Sequence, residues 1–291
     1  MAKNNNPVDK KMLENPFVGS LVVPIAIVLV GALVIFGVTK MLSTDQSYKD
    51  LVREMQSKQF GNKWVSALEL SKLIASNKIP EEDIPWLVEN LSHVYKNTVD
   101  SRTRDFVVVA LGALRNPLAL ELLQTAVKDT DKNVQFHAVV ALGNIPQGVT
   151  VDWTDVLNFL EAEDHGIKQA AILALGTHRV AEAEPKLQGL LSDDGRGVRF
   201  AAGTSLVYFK NENALPVIKE ILSLEFTPSQ DKNKSPLFSV EQIAALKLNI
   251  LNAVSKSEWK APLDLIQEIS TNDKDVKVVS KAKEVLKQLK K

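Results

Sequence analysis

Residues 16–39 run 24 positions without a charge, and residues 21–38 are apolar on every side. A helix of about 20 apolar residues crosses the hydrocarbon core of a bilayer. The pattern therefore predicts a polar tail over 1–15 and a single transmembrane helix over 16–42. A surface helix keeps a polar stripe, which this run lacks. Signal-peptide cores are shorter, about 7–15 residues, and no small-residue cleavage site follows Phe36. The reading is an uncleaved, single-pass anchor, with Pro24 near its amino end where a kink is tolerated.

From residue 45 onward the pattern becomes that of amphipathic helices. Small or aliphatic residues recur four apart, as in Val134, Ala138 and Leu142 or Ile167, Ala171 and Leu175, giving each helix one apolar face. These runs also repeat. Ala-Leu-Gly ends Phe106–Gly112, Phe136–Gly143 and Ala170–Gly176 at spacings of 31 and 33, and Ala201–Leu206 follows with Val207 in place of glycine. A period near thirty residues is the mark of stacked supersecondary units. Asp131, Asp164, Asp194 and Asp273 precede the repeats and are read as N-caps, since their carboxylates can accept the first free helix amides. Gly112, Gly143 and Gly176 are read as left-handed helix stops. Second amphipathic helices lie between the copies, with Pro117 and Pro185 in first turns.

Seven helix pairs follow: 45–57 with 62–76, 81–96 with 101–114, 117–128 with 132–145, 152–162 with 165–178, 181–191 with 195–209, 212–223 with 239–255, and 260–270 with 274–290. No run reads as a strand. In the last helix Val276, Val279, Val285, Leu286 and Leu289 are expected to face inward, with a lysine-rich face left wet as a solenoid cap. Residues 225–238 form an insertion inside the sixth pair, polar at its centre and ended by Phe and Pro. Insertions in solenoids map to loops on one face.

The pattern Asp-x-x-Val followed by Ala and Ala-Leu-Gly, with a second helix at this period, resembles the short HEAT-like repeats also found in phycobilisome lyases. It spans residues 100–209 and thins at 45–96 and 239–291. The resemblance implies an all-α fold, a right-handed α-solenoid of about seven helix pairs over 45–291, of the armadillo-like class. It also implies a surface used mostly to bind other proteins. HEAT-like deoxyhypusine hydroxylases are similar in fold but depend on His-Glu pairs, which this sequence lacks.

Charge and composition narrow the function. The chain of 291 residues carries 35 basic and 35 acidic side chains, so it lacks the basic footprint of a nucleic-acid binder. It has no cysteine, which removes thiolate metal sites and thiol nucleophiles. The four histidines form no His-x-x-x-His, and no Gly-rich phosphate loop or nucleophile elbow occurs. No catalytic, cofactor or metal residue is assigned. The position after the buried aliphatic residue gives a polar ladder, Arg104, Gln135, Lys168 and Arg199, extended by Arg102 and Arg196. It either binds an acidic partner segment or pairs with Asp131, Asp164 and Asp194 of neighbouring repeats, and the shared period favours the pairing. Phe226 and Phe238 either contact a partner or pin the insertion to the core.

The sequence thus predicts a non-enzymatic, membrane-anchored scaffold that binds a protein partner through Arg104, Gln135, Lys168, Arg199, Phe226 and Phe238. The alternatives are a phycobilisome-lyase-like accessory factor or a structural subunit of a membrane complex. Positive charges tie at three on each side of the anchor, leaving the side undetermined. The Lys10–Lys11 pair, close to its membrane edge, tilts the amino terminus toward the cytoplasm and the solenoid away from it.

Overall fold

The computed structural model describes residues 47–57, 63–226 and 238–290. The expected tail at 1–15, the membrane helix at 16–42 and all but the ends of the insertion lie outside the described residues. Among those described, no helix is long and apolar enough to cross a membrane. Residues 52–291 form one compact unit; of the unit before it, only 47–51 are described.

The described residues hold fourteen α-helices and no strand. They are α1 (Tyr48–Gln56), α2 (Lys63–Ala75), α3 (Ile84–Asn97), α4 (Ser101–Leu114), α5 (Leu120–Ala126), α6 (Lys132–Gly143) and α7 (Thr154–Asn158). There follow α8 (His165–Thr177), α9 (Glu184–Gly189), α10 (Arg196–Leu206), α11 (Leu215–Leu222), α12 (Val240–Ser257), α13 (Leu263–Asn272) and α14 (Val276–Leu289). Their order reproduces the pairing read from the sequence. The first helices are shorter than the pattern suggested. Several open on a 3-10 turn, such as Pro117–Ala119 and Ala181–Ala183, and α7 and α9 close on one, Phe159–Glu161 and Leu190–Ser192.

The even-numbered helices stack directly on one another from α2 to α10, and α14 stacks on α12. From α3 onward the odd-numbered helices pack mainly against them. Fully buried Leu70, Leu111, Leu142, Leu175 and Leu206 lie along this stack, one to each even helix. Each pair covers its neighbour's apolar face, which no single hairpin could bury.

The repeated glycine has a different task from the one expected. Gly112, Gly143 and Gly176 are not left-handed; the one positive-φ glycine among the described residues is Gly148. Gly112 and Gly176 sit inside their helices and Gly143 is the last residue of α6, each at the point where the next even helix crosses. A Cβ on Gly112 would stand 2.7 Å from the Ala141 Cβ, one on Gly143 3.0 Å from the Ala174 Cβ, and one on Gly176 2.3 Å from the Ser205 Cβ. The glycine buys close approach between second helices. The left-handed position falls instead to Asn77, Arg115, Arg179, Lys210 and Glu258. Of these, Asn77, Arg179, Lys210 and Glu258 end Schellman-type turns, as in Arg179 N–H to the Gly176 carbonyl and Val180 N–H to the Leu175 carbonyl, each 3.0 Å. Cationic Arg and Lys there also suit the negative end of the helix.

Two of the four expected caps move. Asp131 and Asp164 do cap, each accepting two backbone amides of its helix. The cap of α10 is Gly195 rather than Asp194, and that of α14 is Asp275 rather than Asp273. The two-residue shift at α14 turns Val276 outward, 81% exposed, and buries Val278 and Ala282 in its stead.

Candidate partner-binding face

The polar ladder is engaged within the protein. Arg104 on α4 grips Asp129 with two bonds, Nε to Oδ2 at 2.8 Å and Nη2 to Oδ1 at 2.9 Å, and Nη1 reaches the Val99 carbonyl at 3.2 Å. The Tyr95 hydroxyl donates to the same carboxylate at 2.6 Å. Burial pushes the Asp129 carboxyl up, but the bonds from Arg104 and Tyr95 outweigh it and hold the group at about 2. Burial and the adjacent carboxylate push the Tyr95 hydroxyl well above its ordinary range. Lys168 on α8 stands 3.7 Å from Asp193, and Lys247 on α12 bonds Asp273 at 2.6 Å.

These pairs share a plan. In each, one oxygen of the aspartate accepts the amide two residues on, that of Asp131, Gly195 or Asp275. The carboxylate also receives a cation from the preceding even helix. The partner is thus the aspartate two residues ahead of the cap, and it ties one repeat to the next. The other two members of the ladder bond loop carbonyls of their own repeat, Gln135 at Asp129 (2.7 Å) and Arg199 at Asp193 (2.8 Å). Ala162 occupies the place of the aspartate that Gln135 would need.

Exposed side chains of a different kind lie on the outer surface of the even helices. Val140 on α6 and Leu173 on α8 stand 33 residues apart at equivalent positions and are 38% and 43% exposed; Val65 on α2 is 36% exposed. Half-buried Trp64 and Phe106 stack with centroids 6.1 Å apart, and the Arg102 guanidinium lies 5.5 Å above the Trp64 ring. Phe136 meets His137 edge-on at 5.2 Å, and His137 Nδ1 is bonded to Asp105 across from α6 to α4. His178, held against Trp153 at 4.8 Å, is half-buried, and the loss of hydration pushes its imidazole below the ordinary value. No group of three metal-ligating side chains converges among the described residues.

Sequence reasoning passed over Trp64, Phe106, Phe136, Val140 and Leu173. The signal was present, since Val109, Val140 and Leu173 each stand two residues before the leucine of Ala-Leu-Gly. That position lies off the buried face, where an apolar residue is not required. At the insertion the two phenylalanines part company. Phe238 stacks on buried Phe200 with centroids 6.1 Å apart, whereas Phe226 is 45% exposed.

The stacked pairs define an all-α helical repeat solenoid. Residues 153–226, which span α7 to α11, match the family model described as HEAT repeats. Among solved structures, the complex of CpcE and CpcF of phycocyanin lyase from Nostoc sp. is similar, with a TM-score of 0.54 at 15% identity. That match covers 84% of this chain and 94% of the other. The E. coli protein YibA matches at a TM-score of 0.48 and 18% identity over 82% of both chains. A designed armadillo repeat protein matches at 0.40 and 16%, over 84% of this chain and 100% of its own. No curated protein matches the sequence.

Proposed function

We propose that this protein is a non-enzymatic, membrane-anchored scaffold whose solenoid binds a protein partner across the exposed surface of α2, α4, α6 and α8. The observation that carries the reading is the row of solvent-facing apolar side chains, Val65, Val140 and Leu173, set among Trp64, Phe106 and Phe136. Interface centres are rich in aromatic and aliphatic anchors with few charges. The even helices are also the layer drawn closest together, and extended stacks of this kind serve as binding surfaces. Arg104, Gln135, Lys168 and Arg199 support that surface by fixing the loops beside it. The anchor rests on the uncharged run within 16–42.

The test is a photo-crosslinking residue placed at Val140, at Leu173 and, as a control, at exposed Glu182 on the opposite layer. Capture of one protein from the first two positions and not from the third supports the reading. A Val140→Glu/Leu173→Glu change should weaken that capture about thirtyfold or more, as loss of a hot spot of about 2 kcal/mol requires. Its melting temperature should hold, since surface changes cost about 0.5 kcal/mol or less. Equal capture from all three positions refutes the proposal. Resistance of the chain to carbonate extraction tests the anchor separately.

A further inference from the structure

Among the described residues, two cavities along the edge formed by the interhelical loops differ in the charges that line them. The first, of about 930 Å³, is lined by Tyr95, Arg104 and Asp129 and by polar side chains of α5 and α7. Within it Arg104 pairs with Asp129 and Lys128 with Asp155. The second, of about 480 Å³, lies in the corresponding place between the sixth and seventh pairs, and Lys247–Asp273 is the counterpart of Arg104–Asp129 within it. Its lining mixes polar and charged groups with apolar side chains, among them Leu222, Phe226, Val240, Ile243, Leu265 and Ile269. At its mouth Phe226 and Val240 are 45% and 50% exposed, which stacking of helix pairs does not require. Its volume lies within the range of about 300–1,000 Å³ usual for ligand pockets.

The charge around this cavity selects its occupant. Four carboxylates line it, Glu225, Glu268, Asp273 and Asp275, against two lysines. Lys247 is held by Asp273 at 2.6 Å and Lys274 by Glu225 at 3.3 Å. Glu268 and the N-cap Asp275 are left without a cation among the described residues. An apolar cleft with an acidic rim is complementary to an apolar side chain flanked by lysine or arginine.

We infer that this cavity is a second docking site, one that receives an apolar anchor from a basic segment of a partner protein. It lies on a different surface from the row on α2 to α8 and stands or falls separately from it. The probe is the fluorescein-labelled peptide KKLFKLLKK, with EELFELLEE as its charge-reversed counterpart, titrated into the full chain and followed by anisotropy. The basic peptide should bind, and the acidic one should not. Phe226→Ser with Val240→Ser should weaken binding about tenfold by removing the exposed apolar wall. Glu268→Lys should weaken it about fivefold and flatten its salt dependence. All three positions are exposed, so an unchanged melting curve should accompany each loss. Equal affinity for the two peptides, no binding of either, or affinity unaltered by both variants overturns the inference.

Discussion

Replacing Gly176 by alanine should damage this fold more than any other glycine-to-alanine change in the repeats. The added Cβ would lie 2.3 Å from the Ser205 Cβ, 2.5 Å from its Oγ and 2.8 Å from its Cα, against ordinary contacts of 3.4–4 Å. The backbone atom cannot rotate away, so α8 and α10 would have to part by about 1 Å in an interior packed as densely as an organic crystal. Overpacking of this sort costs about 1–3 kcal/mol. Separation also strains the buried Ser205 hydroxyl, which donates to the Ile172 carbonyl at 2.9 Å. Losing that bond adds about 1–3 kcal/mol. Better helix propensity returns at most about 1 kcal/mol. The net loss is about 2–4 kcal/mol, a fall in melting temperature on the order of 10 °C for a unit of this size. Circular dichroism at 222 nm under heat and urea reads it. Gly112→Ala should cost less and Gly143→Ala less again, because their Cβ atoms would meet alanines at 2.7 and 3.0 Å. Gly189→Ala, with nothing within 4 Å, should be neutral. Ser205→Gly should recover part of the loss in the Gly176→Ala background and lower stability by itself. A Gly176→Ala protein as stable as the parent, or an inverted order among the four, would refute close approach as the reason for the glycine.

Three further outcomes follow from the ionic clasps and the insertion. The Asp129 carboxyl is depressed from its ordinary 3.8 to about 2, so it stabilises the fold above pH 4 and loses that contribution as pH falls through 2. Asp129→Asn should lower stability at neutral pH by about 2 kcal/mol and flatten the stability curve between pH 4 and 2, measured by urea unfolding across pH. Lys247→Met leaves Asp273 buried without its cation and should cost about 3–5 kcal/mol. Adding Asp273→Asn, which keeps the bond from the Asp275 amide, should restore at least half of that in the same unfolding assay. Phe238→Ala uncovers Phe200 and should cost about 1–2 kcal/mol, while Phe226→Ala stays within about 0.5 kcal/mol; equal melting losses would show that both ends of the insertion are pinned alike.

Helix pairing was legible because each repeat prints its buried face at a spacing of four and its period near thirty. What the residues did not disclose was which neighbour each groove touches. Gly176 beside Thr177 and His178 looks like a helix stop, and only the crossing of α10 shows it to be a contact point. Asp193 and Asp273 look interchangeable with Asp194 and Asp275 as caps, since all lie within a turn of the helix start. The backbone decides: at α14 Asp275 caps and Asp273 takes a cation from the preceding repeat, whereas at α10 the cap falls to Gly195 and Asp193 takes the cation. The ladder Arg104, Gln135, Lys168 and Arg199 was visible as a row. Its partners were not, because the pairing joins residues 25 apart whose relation depends on how one pair leans on the next. Val140 and Leu173 were hidden for the opposite reason: an apolar residue in an apolar helix draws no notice until its neighbours are seen to leave it uncovered.

The break in the repeat has a physical cause that sequence and structure show together. Val207 stands where Gly112, Gly143 and Gly176 stand in the preceding repeats, and α12 touches α10 at only a few positions. The small residue has moved back one turn to Gly203, where a Cβ would meet the Val217 Cγ1 at 2.6 Å. Close approach is therefore given to α11 rather than to the next even helix. With α12 held off, the face of Phe200 would lie open, and Phe238 at the end of the insertion stacks on it. Val207 thus marks the end of the continuous layer of second helices at α10, and Phe238 fills the place beside Phe200. The exposed row on α2 to α8 and the apolar cavity beyond α11 fall on opposite sides of that seam, which is why each can be altered without disturbing the other.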